Sequence, residues 1–452
     1  MPLTRTNIGK QHSRQMNTNK EVLRLAVPSI LANITIPFVG LVDTAIVGHI
    51  SDAHAIGGIA IGTMLFDLLY WNFGFLRVGT SGMTAQAYGR GDRVECARLL
   101  SQSISIALLG AAVIWLLQWL FVTAVLACVP CSAEVADFAR RYFFVRVWAA
   151  PATLSLLALK GWFIGMQDTV SPMVTDIVVN VVNIIASYAL AVYSPLGAIG
   201  VAHGTLIAQY TGLLLAAAIV LLKYRKVWNG LSLWQLARDR QGVKRLMALN
   251  GNLFIRSLCF MVVYVGFTSL ASYYGDTELA VSSIMMKLFM LFSYFIDGFA
   301  YAGEALVGRF IGDRERHNEV NPVVRVLFLW SMGLGIAATI LFALLADPMY
   351  RVMTSDADVL TAIQPFTPWL IAMPVVSALA FMWDGVYTGA TAGQEIRNGM
   401  IFAAIGFVVG YAATCRWLGV HAIYVGYFAH LVARVLYLTA KWKVVYGREI
   451  GE

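Results

Sequence analysis

Long runs without a charged side chain constrain this chain more than any other feature. Residues 103–129, 177–222 and 326–346 contain no Asp, Glu, Lys or Arg. A helix rises about 1.5 Å per residue, so about 20 apolar residues cross a hydrocarbon core about 30 Å thick. On that measure the chain holds about twelve spans. They lie near 22–49, 53–78, 98–128, 138–164, 171–193, 198–222, 246–273, 279–308, 321–346, 361–388, 395–415 and 421–441. Barrel strands would alternate apolar and polar residues every second position, and these runs do not. With a mean hydropathy of +0.70, the expected fold is an all-α membrane protein.

The basic residues predict an orientation. With an even number of spans, one side carries Arg5, Lys10, Arg14, Lys20, Arg24, Arg90, Arg93, Arg98 and the cluster from Lys223 to Arg245. The same side carries Arg309, Arg314, Arg316, Arg325, Arg397, Lys441, Lys443 and Arg448, against Arg140, Arg141, Arg351 and Arg416 on the other. Cytoplasmic loops retain Lys and Arg, so both termini are expected in the cytoplasm and the chain in the plasma (inner) membrane. The net charge of +8 then reflects topology, not a nucleic-acid partner. The polar first twenty residues have no apolar core ahead of a cleavage site, so no secretory signal is expected there.

The chain also repeats. Gly74-Phe75 recurs at Gly298-Phe299, and Gly161 and Gly165 recur as Gly385 and Gly389, always 224 residues later. Two homologous six-helix bundles follow: 21–224 and 246–445, joined by a linker at 225–245 and flanked by cytoplasmic tails at 1–20 and 446–452. Parallel repeats of this kind are common in secondary transporters.

Polar residues inside the apolar runs point to function. Asp43 sits in LVDTAIVGHI, and Asn180 and Asn183 in VVNVVNIIASYAL. A carboxylate at bilayer depth costs at least about 2.5 kcal/mol, so it usually faces a cavity or a partner. Binding and releasing a cation is the sharper reading of Asp43; accepting a backbone N–H near a helix end is the plainer one. Asn180, Asn183 and Ser187 stand at i, i+3 and i+7, on one helix face. The asparagines either line a site or join helices.

VDTAIVGHIS, GFLRVGTSGMTAQAYGRGD, GWFIGMQDT and NVVNI together resemble the multidrug and toxic compound extrusion (MATE) family. GFLR…AQAYG and DGFAYAGEALVGR (297–309) look most like its DinF-like branch. The resemblance runs over roughly residues 20–445. It implies two six-helix bundles around a cavity that opens alternately to either face, and export of small organic, often cationic, compounds driven by inward proton or sodium movement; a functional monomer is expected. It places the coupling carboxylate at Asp43, matches Asn180 and Asn183 to paired asparagines, and matches Thr205 in GVAHGTLIAQ to a threonine near the cation site. Many relatives carry an aspartate where this chain has Ser187, which tilts the expectation toward protons over sodium. A glutamate of the seventh helix in one branch is replaced here by Arg256. Asp384 in FMWDGVYTG does match that branch, so Arg256 and Asp384 are expected to form a buried ion pair.

Other polar residues keep two readings. Lys160, the counterpart of Asp384 at the 224 offset, either serves a cavity or reaches to the membrane face. Asp297 and Glu304 share a helix face and either belong to a second-lobe polar network or pair with Lys287 or Arg256. His203 reads as a packing residue or, less simply, a proton relay, and Asp67 in MLFDLLYW is a charge without an assignment. Pro28 and Pro37 favour a bend in the first span. Met64, Phe66, Tyr70, Trp71 and Phe73 either line an apolar cavity, since such side chains give adaptable surface, or face lipid or the interface, where aromatics also concentrate. Cys128 and Cys131 either oxidise or serve as small apolar residues. No GxxxxGK[ST] loop supports ATP use, no second CxxC completes a metal site, and no cofactor beyond the coupling ion is expected. A lipid-linked oligosaccharide flippase and a membrane-embedded enzyme are the alternatives; neither a hydrolase motif nor a carboxylate dyad is present.

Overall fold

The computed structural model describes residues 5–50, 53–129, 131–228, 230–232, 236 and 239–451. The side chains of 5–17, 36, 38, 41, 44, 48–50, 53 and 449–451 lie outside that description. Arg5, Lys10, Arg14, Thr44, His49, Ser51, Pro130 and parts of the expected linker, Arg238 included, fall among these exclusions.

Every described regular element is helical. The first set is α1 (Arg5–Ile50), α2 (Ala53–Trp71), α3 (Phe75–Gly89), α4 (Arg93–Cys128), α5 (Ala133–Arg146), α6 (Ala150–Gly165), α7 (Val170–Val192), α8 (Gly200–Lys223) and a short α9 (Arg225–Trp228). The second is α10 (Arg240–Tyr274), α11 (Asp276–Gly312), α12 (Val320–Met353), a short α13 (Ala357–Ala362), α14 (Thr367–Gly389), α15 (Gly393–Leu418) and α16 (His421–Gly451). Among the described residues eleven helical stretches are long and apolar enough to cross a membrane, from His54–Gly89 to His421–Arg448. The remaining expected span, 22–49, lies within α1.

Local chemistry sets several boundaries. Asp92 caps α4 by accepting from the Glu95 N–H at 2.9 Å, and Ser132 caps α5 by accepting from the Val135 N–H at 3.3 Å. Such caps satisfy amides that have no partner inside the helix. The expected span at 138–164 divides at a 3₁₀ turn, Val147–Ala149. Pro151 then stands in the first turn of α6, where its missing N–H costs nothing. The expected span at 53–78 breaks at 72–74 and resumes as α3. α1 runs as helix through Pro28 and Pro37 and begins within the polar N-terminal segment.

The chain forms two compact units, one from Leu31 to Ala248, the other from residues up to Ile30 together with Leu249 onwards. Their internal construction is duplicated. A Cβ placed on Gly161 would lie 2.2 Å from the Arg77 carbonyl oxygen, and one on Gly385 would lie 2.3 Å from that of Ala300. Only glycine lets α6 lie so close to α3, and α14 to α11. Each helix then ends through a left-handed residue, Gln167 with φ 62° and Thr391 with φ 52°. The following N–H reaches back in both, Asp168 to the Phe163 carbonyl at 2.9 Å and Ala392 to that of Tyr387 at 3.1 Å. These turns keep the 224 offset, whereas Arg77 and Ala300 are one residue short of it. The GF match is therefore out of register: Gly74 ends the break after α2, while Gly298 lies inside the continuous α11 against Ala26 and Ile30.

Candidate cation site

In the unit 31–248, Ile46, Val47, Phe66, Tyr142, Phe143 and Val201 share one core. Asp43 precedes Ile46 and Val47 by one turn on the same face of α1, so its carboxylate is carried toward that core. Its Oδ1 is buried and has no hydrogen-bond partner among the described residues. The Ser187 hydroxyl lies beside the carboxylate and donates to the Val201 carbonyl at 3.4 Å.

Gly204 lets α8 rest on α7, since a Cβ there would come 2.5 Å from the Ser187 nitrogen. That approach sets the Asn183 amide, as donor, 3.0 Å from Thr205 Oγ1, which itself donates to Val201 at 3.1 Å. Asn183 is 3% exposed, and its Oδ1 likewise lacks a donor. Asn180 departs from this group and donates to Thr35 of α1, a residue the sequence reading did not single out. The structure thus pairs Asp43 with Ser187 and Asn183 with Thr205. Other buried oxygens of this unit also lack a partner among the described residues, those of Ser81, Thr84 and Ser155 included, so what singles out Asp43 is its chemistry: a buried carboxylate oxygen without a donor suits a proton or a small cation. Among the described residues no three His, Cys, Asp or Glu side chains converge to hold a metal ion.

Arg146, the last residue of α5, escaped the sequence reading because RRYFFVR looks like the charged flank of a span. Its Nη1 donates to the Tyr142 hydroxyl at 3.1 Å, and its guanidinium carbon lies 4.7 Å from the Phe66 ring centroid. It is within electrostatic reach of both Asp43 and Asp67. The unassigned Asp67 was the available signal, since intramembrane charges seek partners. Lys160 forms an ion pair with Asp176 of α7 at 2.7 Å. His203 Nδ1 lies 3.3 Å from the Ile199 carbonyl. Of the five residues expected to line a cavity, Met64 and Trp71 are exposed at 40% and 39%, but Phe66 is 1% exposed. Tyr70, one turn after Phe66 on α2, packs on the same core, and Phe73, in the break after Trp71, packs there too.

In the other unit the expected pair forms: Arg256 donates to Asp384 at 2.6 Å. Arg434 of α16, only 3% exposed, reaches the same carboxylate oxygen, and Asp297 lies within its electrostatic reach. Glu304 is buried at 3% exposure, whereas Lys287 is exposed. Outside the spans, Asp168 accepts from Lys223 and Tyr224, each at 2.7 Å, and from Ser171. Burial alone would raise its pKa, but these bonds hold it below the usual carboxylate value. Cys128 and Cys131 are free thiols.

The MatE family model matches residues 28–189 and 253–414. The chain belongs to the MatE family. The two matches start 225 residues apart, in step with the internal repeat. Over 94% of its length this MatE chain is 33% identical to DNA damage-inducible protein F of Escherichia coli (strain K12), covering 92% of that protein. It is 27% identical to Protein DETOXIFICATION 44, chloroplastic, of Arabidopsis thaliana, over 94% of the chain and 84% of that relative. Its fold is similar to the outward-facing conformation of a multidrug resistance MATE family transporter of the MOP superfamily, with a TM-score of 0.86 and 17% identity over 95% of this chain and 96% of that one. The MatE chain is a multi-pass membrane transporter, not an enzyme.

Proposed function

We propose that this MatE transporter exports organic, cationic or amphipathic compounds in exchange for protons. It works as a monomer in the inner membrane, with both termini in the cytoplasm. The observation that carries the reading is the Asp43 carboxylate, which has a buried oxygen without a donor and Ser187, not a second acid, beside it. A hydroxyl stays neutral, so one carboxylate must serve the coupling ion. Sodium asks for several well-placed oxygens, whereas a proton asks for one. Arg146 further disfavours a second bare cation near Asp43. The multidrug resistance transporter of similar fold supports the export direction.

The test uses the purified chain in liposomes loaded with a cationic dye. A pH gradient is expected to drive dye movement, a sodium gradient alone is not, and Asp43→Asn removes the driven component. Undiminished driven transport by Asp43→Asn, or transport driven by sodium alone, overturns the reading.

A further inference from the structure

Asp67 takes no part in the exchange described so far. It lies on α2 in a stripe with Ile56, Met64 and Trp71, whose exposures are 36%, 40% and 39%. The spacing of these positions keeps them on one helix face, and Asp67 itself is exposed. A carboxylate well inside a span is costly against lipid, which favours a wet space beside this face. A thioether, an indole and one carboxylate along such a face match a flat organic cation: the acid takes the charge, and the ring and sulfur take the apolar body.

Arg146 stands beside the same stretch of helix, with its guanidinium over Phe66, the residue preceding Asp67. Val42, Ile46 and Val47 of α1 pack in the core that holds Phe66 and Tyr142, so the Asp43 segment flanks the arginine as well. The ionisable groups facing this cluster are Asp43 from α1, Asp67 and Tyr70 from α2, Tyr142 from α5 and, beside Tyr70, Tyr210 from α8. The tyrosines are neutral at physiological pH. Two carboxylates and one guanidinium leave one uncompensated negative charge.

We propose that Asp67 binds the cationic group of the substrate and that Arg146, shared between Asp67 and Asp43, makes proton and substrate mutually exclusive. With Asp43 ionised, the guanidinium is held by Asp43 and the Asp67 carboxylate is open to an organic monocation. When a proton forms an O–H bond on Asp43, that acid becomes neutral. Arg146 then compensates Asp67, and the monocation leaves. Loss of the proton restores the first state. One proton exchanges for one monocation, and the cluster stays near neutrality throughout. This rests on the proton-coupled export proposed above and adds where the substrate's charge is held.

The experiment measures ethidium binding to the purified full chain at about pH 8 and about pH 5.5, together with pH-driven ethidium transport in liposomes. Wild-type affinity is expected to fall on acidification. Asp67→Asn, a change at an exposed site, weakens binding at the higher pH by about tenfold or more. Arg146→Gln leaves two acids for two positive charges, so binding persists at the lower pH and transport loses its fixed stoichiometry. Arg146→Lys restores the pH dependence. Wild-type affinity in Asp67→Asn, or wild-type pH dependence in Arg146→Gln, overturns the inference while pH-driven transport still stands. Absence of pH-driven transport in the wild type overturns the parent reading instead.

Discussion

Positions 161 and 385 both hold glycine against a neighbouring backbone, yet one residue earlier the two units carry opposite charges. Lys160 pairs with an acid, Asp176. Asp384 meets two arginines, Arg256 and Arg434. The repeat has kept what close helix packing demands and released what charge does. Among the described residues both acids keep one buried oxygen without a donor; they differ in their partners, Asp43 lying beside the Ser187 hydroxyl and Asp384 being held through its other oxygen by arginines of two other helices. On the reading proposed above Asp43 is the acid that exchanges its proton, whereas Asp384 is anchored by two arginines.

The sharpest way to break this contrast is to neutralise each acid. Asp43→Asn is expected to remove gradient-driven transport while leaving thermal unfolding unchanged. Asp384→Asn leaves two arginines short of their counter-ion and is expected to cost about 3–5 kcal/mol of stability. A thermal-unfolding assay in detergent reads the difference, and equal losses in the two variants would end the distinction. Gly161→Val and Gly385→Val probe what the units share. Each forces α6 off α3, or α14 off α11, at about 1–3 kcal/mol. Closely similar losses are expected, and tolerance of one but not the other would contradict equivalent packing.

Asp168 gives a smaller effect that depends on pH. Its lowered pKa means that its contribution is present above the unfolded value of about 3.9 and disappears as pH falls through the folded value. Asp168→Asn should therefore lose about 1–2 kcal/mol at neutral pH, with the gap to wild type closing in strong acid. Ser187→Asp is the mildest change. It adds a second carboxylate beside Asp43 and should let a sodium gradient drive some transport; no response to sodium would detach Ser187 from ion choice.

Much of this was legible in the chain. The uncharged runs gave the helices, and the repeated glycines gave the close contacts of α6 and α14, because both depend on nearest neighbours in sequence. The Arg256–Asp384 pair was also readable, since two opposite charges in apolar runs have few other partners. The GF match misled by one residue because the break at 72–74 has no counterpart in α11. On a helix, one residue turns a side chain by about 100°.

The residues alone determined an all-helical membrane chain, its internal repeat and the buried acid at Asp43. Only the tertiary structure decided that Arg146 lies near both Asp43 and Asp67, that Asn180 turns to Thr35, and that Arg434 joins Arg256 on Asp384. Apolar periodicity is a local property, written in each segment as it reaches the bilayer. Charge pairing inside the membrane is not local, because each partner is supplied by a helix far along the chain and is fixed only when the helices pack.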